Sequence, residues 1–162
     1  MAQKRQAVKR SRKQVARPEA QVFVSLMRTA DALERGAEVV LKPHGLSGTQ
    51  YNVLRILRGA GESGLACREI GCRLISHDPD ITRLLDRMES RGLITRAREV
   101  RDRRVVKTRI TAEGLRILRD LDDPIQQLHR RQFRGFPENQ LRQLSLLLER
   151  VRACVEAPDV HS

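Results

Sequence analysis

The stretch "DPDITRLLDRMESRGL" (residues 78–93) carries the start, the period and the stop of one amphipathic helix. Asp78 before Pro79 offers a side-chain acceptor to the free N–H groups of a first turn, and proline is tolerated at the first helical position because no donor is lost there. Gly92 is the residue type that enters the left-handed turn ending a helix. Between them Ile81, Leu84, Leu85 and Met88 fall at i, i+3, i+4 and i+7 and make one apolar stripe. Asp80, Thr82, Arg83, Asp86, Arg87, Ser90 and Arg91 then face away from it. The bland reading of such a face is a solvated one with charge pairs a turn apart, Arg83 and Arg87 opposed by Asp86. The segments on either side decide whether it is more than that.

Upstream, "ACREIGCRLI" (66–75) reads as a short helix with Ile70 and Leu74 inward, and "SH" (76–77) is a tight connection into the next helix. Downstream the period changes from helical to alternating. In "LITRAREVRDRRVVKTRIT" (93–111), Val106, Thr108 and Ile110 share one side and Val105, Lys107 and Arg109 the other, which with "LITR" as partner strand predicts a β-hairpin. The hairpin tip, residues 98–104, holds four arginines in seven residues. Two short helices, a tight turn and an Arg-tipped hairpin are the parts of a winged helix-turn-helix. A second helix exposing short polar and Arg side chains fits a major groove about 12 Å wide, where Arg makes bidentate contacts to guanine. A basic hairpin beside it reaches phosphates or the narrow minor groove. The charged outer face is then a binding surface for double-stranded DNA.

Longer helices flank this unit. Residues 18–41 place Val22, Leu26, Leu33, Ala37 and Val40 near a heptad pattern, ending before Gly45. Ser47 and Gln50 have the spacing of a capping box, so a second helix starts near Gly48 with Val53, Leu54 and Leu57 inward. The glycines of "RGAGESG" (58–64) read as a loop. Thr111 caps a helix beginning at Ala112, with Leu115, Leu118, Leu121, Ile125 and Leu128 at near-heptad spacing and a kink expected at Pro124. After "GFP" (135–137) a last helix carries Leu141, Leu144, Leu148, Val151 and Val155. The stripes of the first helix and the last two have no evident partner inside a small winged core, and packing across a two-fold axis is the preferred reading. The expected fold is therefore mainly α with a small β-hairpin wing, a winged helix-turn-helix (about 48–111) flanked by dimerisation helices (about 18–41 and 112–156). Residues 18–162 are read as a single domain.

Composition narrows the function. In 162 residues, 32 Lys and Arg against 20 Asp and Glu give a net charge of +12, which favours an acidic partner such as a nucleic-acid backbone. Residues 1–17 hold seven of the basic side chains and no acidic one, so the remaining 25 against 20 leave only +5 for the rest. That segment reads as a disordered tail and as a solvated tail, a DNA-contacting arm or an Arg-rich presequence. Three Phe, one Tyr and no Trp argue against recognition of single strands by base stacking. The three cysteines, Cys67, Cys72 and Cys154, make no disulfide framework, and each is expected to be a small buried hydrophobe. His44, His77, His129 and His161 are too scattered for a metal cluster, and no cofactor is expected. No apolar run approaches the roughly 18 residues of a membrane span, so a cytosolic protein without membrane contact is the default. There is no phosphate-binding Gly loop, nucleophile elbow or HExxH, and the Asp122–Asp123 pair is expected to be solvated, so no enzyme is indicated.

The segments "GLSGTQYNVLRIL", "ITRLLDRMESRGLITR" and "DRRVVKTRITAEG" together resemble the multiple antibiotic resistance regulator (MarR) family of bacterial transcription factors. The resemblance covers about residues 20–155, and Asp102, Arg104, Thr111 and Gly114 fall on the Asp, Arg, Thr and Gly of the family's wing motif. It implies an obligate homodimer whose first and last helices interlock and whose two winged lobes sit on a pseudo-palindromic operator, most simply as a nucleoid-associated repressor. The DNA-facing set it implies is Asp80, Thr82, Arg83 and Arg87 on the helix, with Arg101, Arg103 and Arg104 at the wing and Asp102 orienting an arginine. Many relatives release DNA on binding a small phenol or aromatic acid; here His44 and Tyr51 are the ligand candidates, with ordinary packing as the competing role. The peroxide-sensing relatives use a cysteine in the first helix, which this chain lacks. The alternative function is a non-specific architectural nucleic-acid-binding protein driven by the basic tail.

Overall fold

The computed structural model describes residues 17–75, 80–99 and 104–157. Helix α1 (Pro18–Leu41) runs into a 3-10 turn (Lys42–His44), followed by α2 (Gly48–Ala60), a second 3-10 turn (Gly61–Ser63), β1 (Leu65–Ala66), α3 (Cys67–Arg73), α4 (Ile81–Ser90), β2 (Ile94–Arg98), β3 (Val106–Ile110), α5 (Ala112–Gln132) and α6 (Glu138–Glu156). The three strands form one antiparallel sheet in the order β1-β3-β2. The winged helix-turn-helix read from the sequence is thus the observed architecture. The chain divides into two compact units between Arg35 and Gly36. In the first, the outer turns of α1 expose Val22, Phe23, Val24 and Met27.

In the second unit the core collects one stripe from each helix around the sheet: Val53, Leu54 and Leu57 of α2, Ile70 of α3, Leu84, Leu85 and Met88 of α4, and Leu118 and Leu121 of α5. Each such side chain, withdrawn from water, contributes about 1.5–3 kcal/mol before the entropy cost of ordering it. Ser47 and Gln50 form the expected capping box, the Ser47 hydroxyl accepting from the Gln50 N–H at 3.2 Å and the Gln50 side chain accepting from the Ser47 N–H at 3.1 Å. Thr111 caps α5 by accepting from the Gly114 N–H at 3.1 Å.

Several expectations are corrected. Helix α4 begins at Ile81, where the apolar stripe begins, and its cap is Asp80, whose carboxylate accepts the Arg83 N–H at 3.3 Å. Asp78 and Pro79 lie outside the described residues. Residues 58–60 belong to α2, and Arg58 in its last turn reaches the Asp122 carboxylate on α5 (3.0 and 2.9 Å). Asp122 is therefore half-buried and paired, while Asp123 is exposed. The two-residue strand β1 was not foreseen; it pairs Leu65 with Thr108 and Ala66 with Lys107. Helix α5 continues through Pro124 and buries Ile117, Leu118, Leu121, Ile125 and Leu128 within this unit. The stripe of α6 stays uncovered, with none of its side chains buried, and the α1 stripe residues Val22, Leu26, Leu33, Ala37 and Val40 are likewise not buried. Of the cysteines, Cys67 is half-buried, whereas Cys72 and Cys154 are exposed because they sit on the outer sides of α3 and α6.

The helices and the sheet are joined by close contacts. Past α4 the chain reverses at Gly92 (φ 68°), with the Gly92 N–H donating to the Glu89 carbonyl (2.8 Å) and the Leu93 N–H to the Met88 carbonyl (3.0 Å). The Glu89 carboxylate then accepts both the N–H and the Nε of Arg96 on β2, each at 2.9 Å. On α3, Glu69 accepts the Ala66 N–H at 2.6 Å and the Lys107 Nζ at 3.0 Å. Helix α5 docks where Gly114 lies against the end of the hairpin: a Cβ there would stand 2.5 Å from the Leu93 carbonyl oxygen and 2.8 Å from Ile110 Cγ1.

Two consequences are measurable. Gly114→Ala should cost about 1–3 kcal/mol, since backbone must move to admit the methyl group, and this would appear as a lower midpoint in urea unfolding. The Arg96 guanidinium holds the Glu89 carboxyl below its ordinary value, and the Ala66 N–H, then Lys107, do the same for Glu69. A depressed carboxyl stabilises the fold above the unfolded-state value of about 4.3 and loses that contribution as pH falls through the lower folded-state value. Stability should therefore be level above about pH 5 and fall on the acid side, with a shallower acid limb in Glu89→Gln; an unchanged limb would remove Glu89 from this account.

Candidate nucleic-acid interface

The physical division of α4 is sharp. Leu84, Leu85 and Met88 are at most 3% exposed, and on the opposite side Thr82, Arg83 and Arg87 are open to solvent. Burying the stripe leaves the other face no choice of direction, because side chains three and four positions apart share a side of a helix. Asp80, Arg83, Asp86 and Arg87 line one shallow depression on that face. The structure thus brings together three of the four helix residues proposed from sequence to face DNA, with Asp86 beside them and Thr82 exposed on the same helix.

The charge pairing differs from the one anticipated. Arg83 and Arg87 are not set against Asp86. Arg83 Nε lies 3.2 Å from Asp80 Oδ2, one turn back, in a pair that is largely solvent-exposed and so contributes little to stability. Asp86 pairs across to β2, where Arg96 Nη2 approaches its Oδ1 at 2.5 Å. The Arg87 guanidinium has no carboxylate partner among the described residues. Asp80 stands on the face but serves first as the helix cap.

At the wing, Arg98 and Arg104 are exposed at the two sides of the hairpin, and the Glu99 N–H donates to the Val105 carbonyl at 2.8 Å, extending the ladder beyond β2 and β3. Arg101, Asp102 and Arg103 lie outside the described residues, so the expected anchoring and orienting roles at the tip stay expectations.

Three residues that sequence reasoning did not single out fix this surface. Glu89 and Arg96 fasten the wing to α4, and Arg91, expected simply to face outward, reaches from the end of α4 to the α1–α2 junction, its Nη1 donating to the Gly45 carbonyl (2.7 Å) and its Nη2 to the His44 carbonyl (3.2 Å). The signal for Glu89 and Arg96 was present only as opposite charges across a glycine turn, and no helical or strand period links them.

The two ligand candidates are held by different neighbours. His44 is half-buried in the 3-10 turn, with its carbonyl engaged by Arg91. Tyr51 is half-buried on α2 with the Arg55 guanidinium 5.8 Å from its ring centroid, a cation–π distance, and burial pushes its hydroxyl pKa up. Among the described residues no three His, Cys, Asp or Glu side chains are grouped to hold a metal ion, and no helix is long and apolar enough to cross a membrane.

Comparison with known proteins bears on this geometry directly. Residues 46–106, which span α2 through the start of β3, match the model of the MarR family. The chain is 33% identical over 127 residues to the HTH-type transcriptional repressor IacR of Pseudomonas putida, covering 78% of this chain and 75% of the relative. Among solved structures it resembles a MarR transcription factor from Planctomyces limnophilus at 38% identity and a TM-score of 0.63, over 80% of this chain and 94% of the other. It shares the fold of E. coli MarR, solved with operator DNA, at 24% identity and a TM-score of 0.74, over 81% and 93% of the two chains. The relatives are transcription regulators and not enzymes. A core that turns an Arg-bearing helix outward beside a clamped wing, and the extent of these matches, place the chain in the MarR family of winged helix-turn-helix, DNA-binding transcription regulators.

Proposed function

We propose that the chain is a sequence-specific repressor that binds a pseudo-palindromic operator as a homodimer, with α4 in the major groove and the hairpin at the flanking minor groove. The observation that carries this reading is the outward face of α4, where Thr82, Arg83 and Arg87 are exposed over a stripe that is fully buried. Arginine at that place pairs with guanine, and a short polar side chain such as Thr82 leaves room for the helix to approach base edges. Arg104, with Arg101 and Arg103, supplies the wing's contacts, Asp102 orients one of them, and Asp80 stands at the entry of the reading helix. In this organisation residues 48–111 read DNA and the outer helices assemble the dimer.

Dimer formation is supported by α6, which exposes Leu146 at 60%, Leu147 at 48% and Val151 at 44%. Apolar side chains grouped along a helix in this way ordinarily mark an interface. The relatives' names support the repressor reading, since IacR is called a repressor and E. coli MarR has been solved with operator DNA. Release by a small phenolic or aromatic-acid effector near His44 and Tyr51 is the finest part of the proposal, and it rests on the family resemblance with Tyr51 as a half-buried hydrogen-bonding group. The basic segment 1–17 is assigned to the DNA backbone, where it adds affinity without sequence preference.

The first test is selection of duplexes from a random DNA pool at near-physiological salt. A recovered inverted repeat with half-sites about one helical turn apart is the expected result, and tight binding with no motif would favour non-specific association through the tail. On the recovered operator, Arg83→Ala should lose about 1–3 kcal/mol of discrimination at one base pair, measured by competition with single-base variants. Removing residues 1–17 should reduce the slope of log affinity against log salt by several phosphate equivalents, roughly 0.9 per lost contact, and an unchanged slope would leave the tail out of the complex. Leu147→Glu should shift the chain to monomer in sedimentation and abolish operator binding together.

A further inference from the structure

The DNA-facing surface of α4 contains a carboxylate that ought to oppose its purpose. Asp86 lines the same depression as Arg83 and Arg87, and its side chain is 52% exposed. A phosphate brought to those arginines meets a negative charge, and like charges at an interface cost affinity. Glu89, one turn further along α4, is 37% exposed and adds a second.

Arg96 answers both. It stands on β2, outside the helix, and its side chain is only 25% exposed. Its N–H and Nε both donate to Glu89 at 2.9 Å, which fixes the direction of the guanidinium, and its Nη2 lies 2.7 Å from Glu89 Oε2 and 2.5 Å from Asp86 Oδ1. A planar guanidinium held at three points cannot swing out to DNA without breaking all three contacts. Its charge is spent against the two carboxylates, and the hydrogen bonds to Glu89, then Asp86, raise its pKa against the opposing effect of burial.

We propose that Arg96 is a positioning residue for DNA recognition: it neutralises Asp86 within the groove-facing surface and locks β2 to α4, so that helix and wing meet DNA as one body. This rests on the reading of α4 as the DNA-facing helix. It assigns a role in binding to a side chain that does not touch DNA, and it makes Asp86 the reason that role is needed.

The experiment measures, with the full chain and the selected operator, binding by fluorescence anisotropy for the parent, Arg83→Ala, Asp86→Asn, Arg96→Gln, Arg96→Lys and the Asp86→Asn/Arg96→Gln double variant. Arg96→Gln should weaken binding about tenfold, and removal of the Asp86 charge in that background should bring affinity back to within about threefold of the parent. Asp86→Asn alone should leave affinity equal or higher, and Arg96→Lys, which keeps the charge, should lose less than Arg96→Gln. A purely structural role for Arg96 predicts no rescue by Asp86→Asn, so a double variant as weak as Arg96→Gln overturns the proposal. So does a loss of about tenfold or more in Asp86→Asn alone, which would make Asp86 a base contact such as an acceptor from cytosine. If Arg96→Gln fails to fold by circular dichroism, Asp86→Asn and Arg96→Lys decide the matter by the same criteria. Selective binding that depends on Arg83 while these criteria fail would overturn the role of Arg96 alone; binding that is unselective and indifferent to Arg83→Ala would overturn the reading of α4 and this inference with it.

Discussion

The burial of Leu84, Leu85 and Met88 is the constraint from which the rest follows. Because those three positions lie on one side of a ten-residue helix and are withdrawn from water, the orientation of α4 about its own axis is set, and Thr82, Arg83 and Arg87 are turned outward without any force acting on them directly. The polar face is positioned by what the apolar face loses in water. The Gly92 reversal then directs the chain so that β2 leaves α4 within reach of Glu89, and the hairpin is fastened to the helix it must accompany. Orientation comes from the core and alignment from the clamp.

The arginines of this chain divide into two groups that composition alone does not separate. Arg58, Arg91, Arg96 and Arg116 spend their charge on partners of the same chain: Asp122, two backbone carbonyls, the Glu89–Asp86 pair, and Glu113 with Asp120. Arg87, and Arg83 in its solvent-exposed pair with Asp80, remain on the open face. A surplus of basic residues therefore overstates the charge presented to a nucleic acid, and the structure shows which of them hold the fold instead. Much of the surface ion pairing contributes little to stability, but pairs that tie separate elements together, as Arg96 does, set geometry.

The parts legible in the sequence were those written locally. The α4 stripe, the Ser47–Gln50 box, the Thr111 cap and the Gly92 stop each depend on residues within four or five positions, and each is found in the structure. The start of α4 was misread by two residues because Asp78 and Asp80 are both competent caps, and the structure uses Asp80. Strand β1 has two residues, too short for any alternation, and forms because β3 offers it an edge. The stripe of α5 was read from near-heptad spacing; Leu118, Leu121, Ile125 and Leu128 of it are buried in this unit, and Ile117, which that spacing leaves out, is buried with them and widens the core-facing side. On the candidate interface the outward arginines were named correctly as exposed, whereas Glu89 and Arg96 were missed, since a contact seven residues apart across a reversal has no periodic signature.

Helix α6 carries a consequence of a different kind. None of the side chains of this nineteen-residue helix is more than half-buried, so it gains little from packing, the main source of helical stability in proteins, and local pairs such as Arg142 with Glu138 add little. Its order is then a property of whatever covers it more than of the chain to which it belongs. Amide exchange along α6 should report on that cover while α2 and α5, closed into the core, exchange on the timescale of global unfolding.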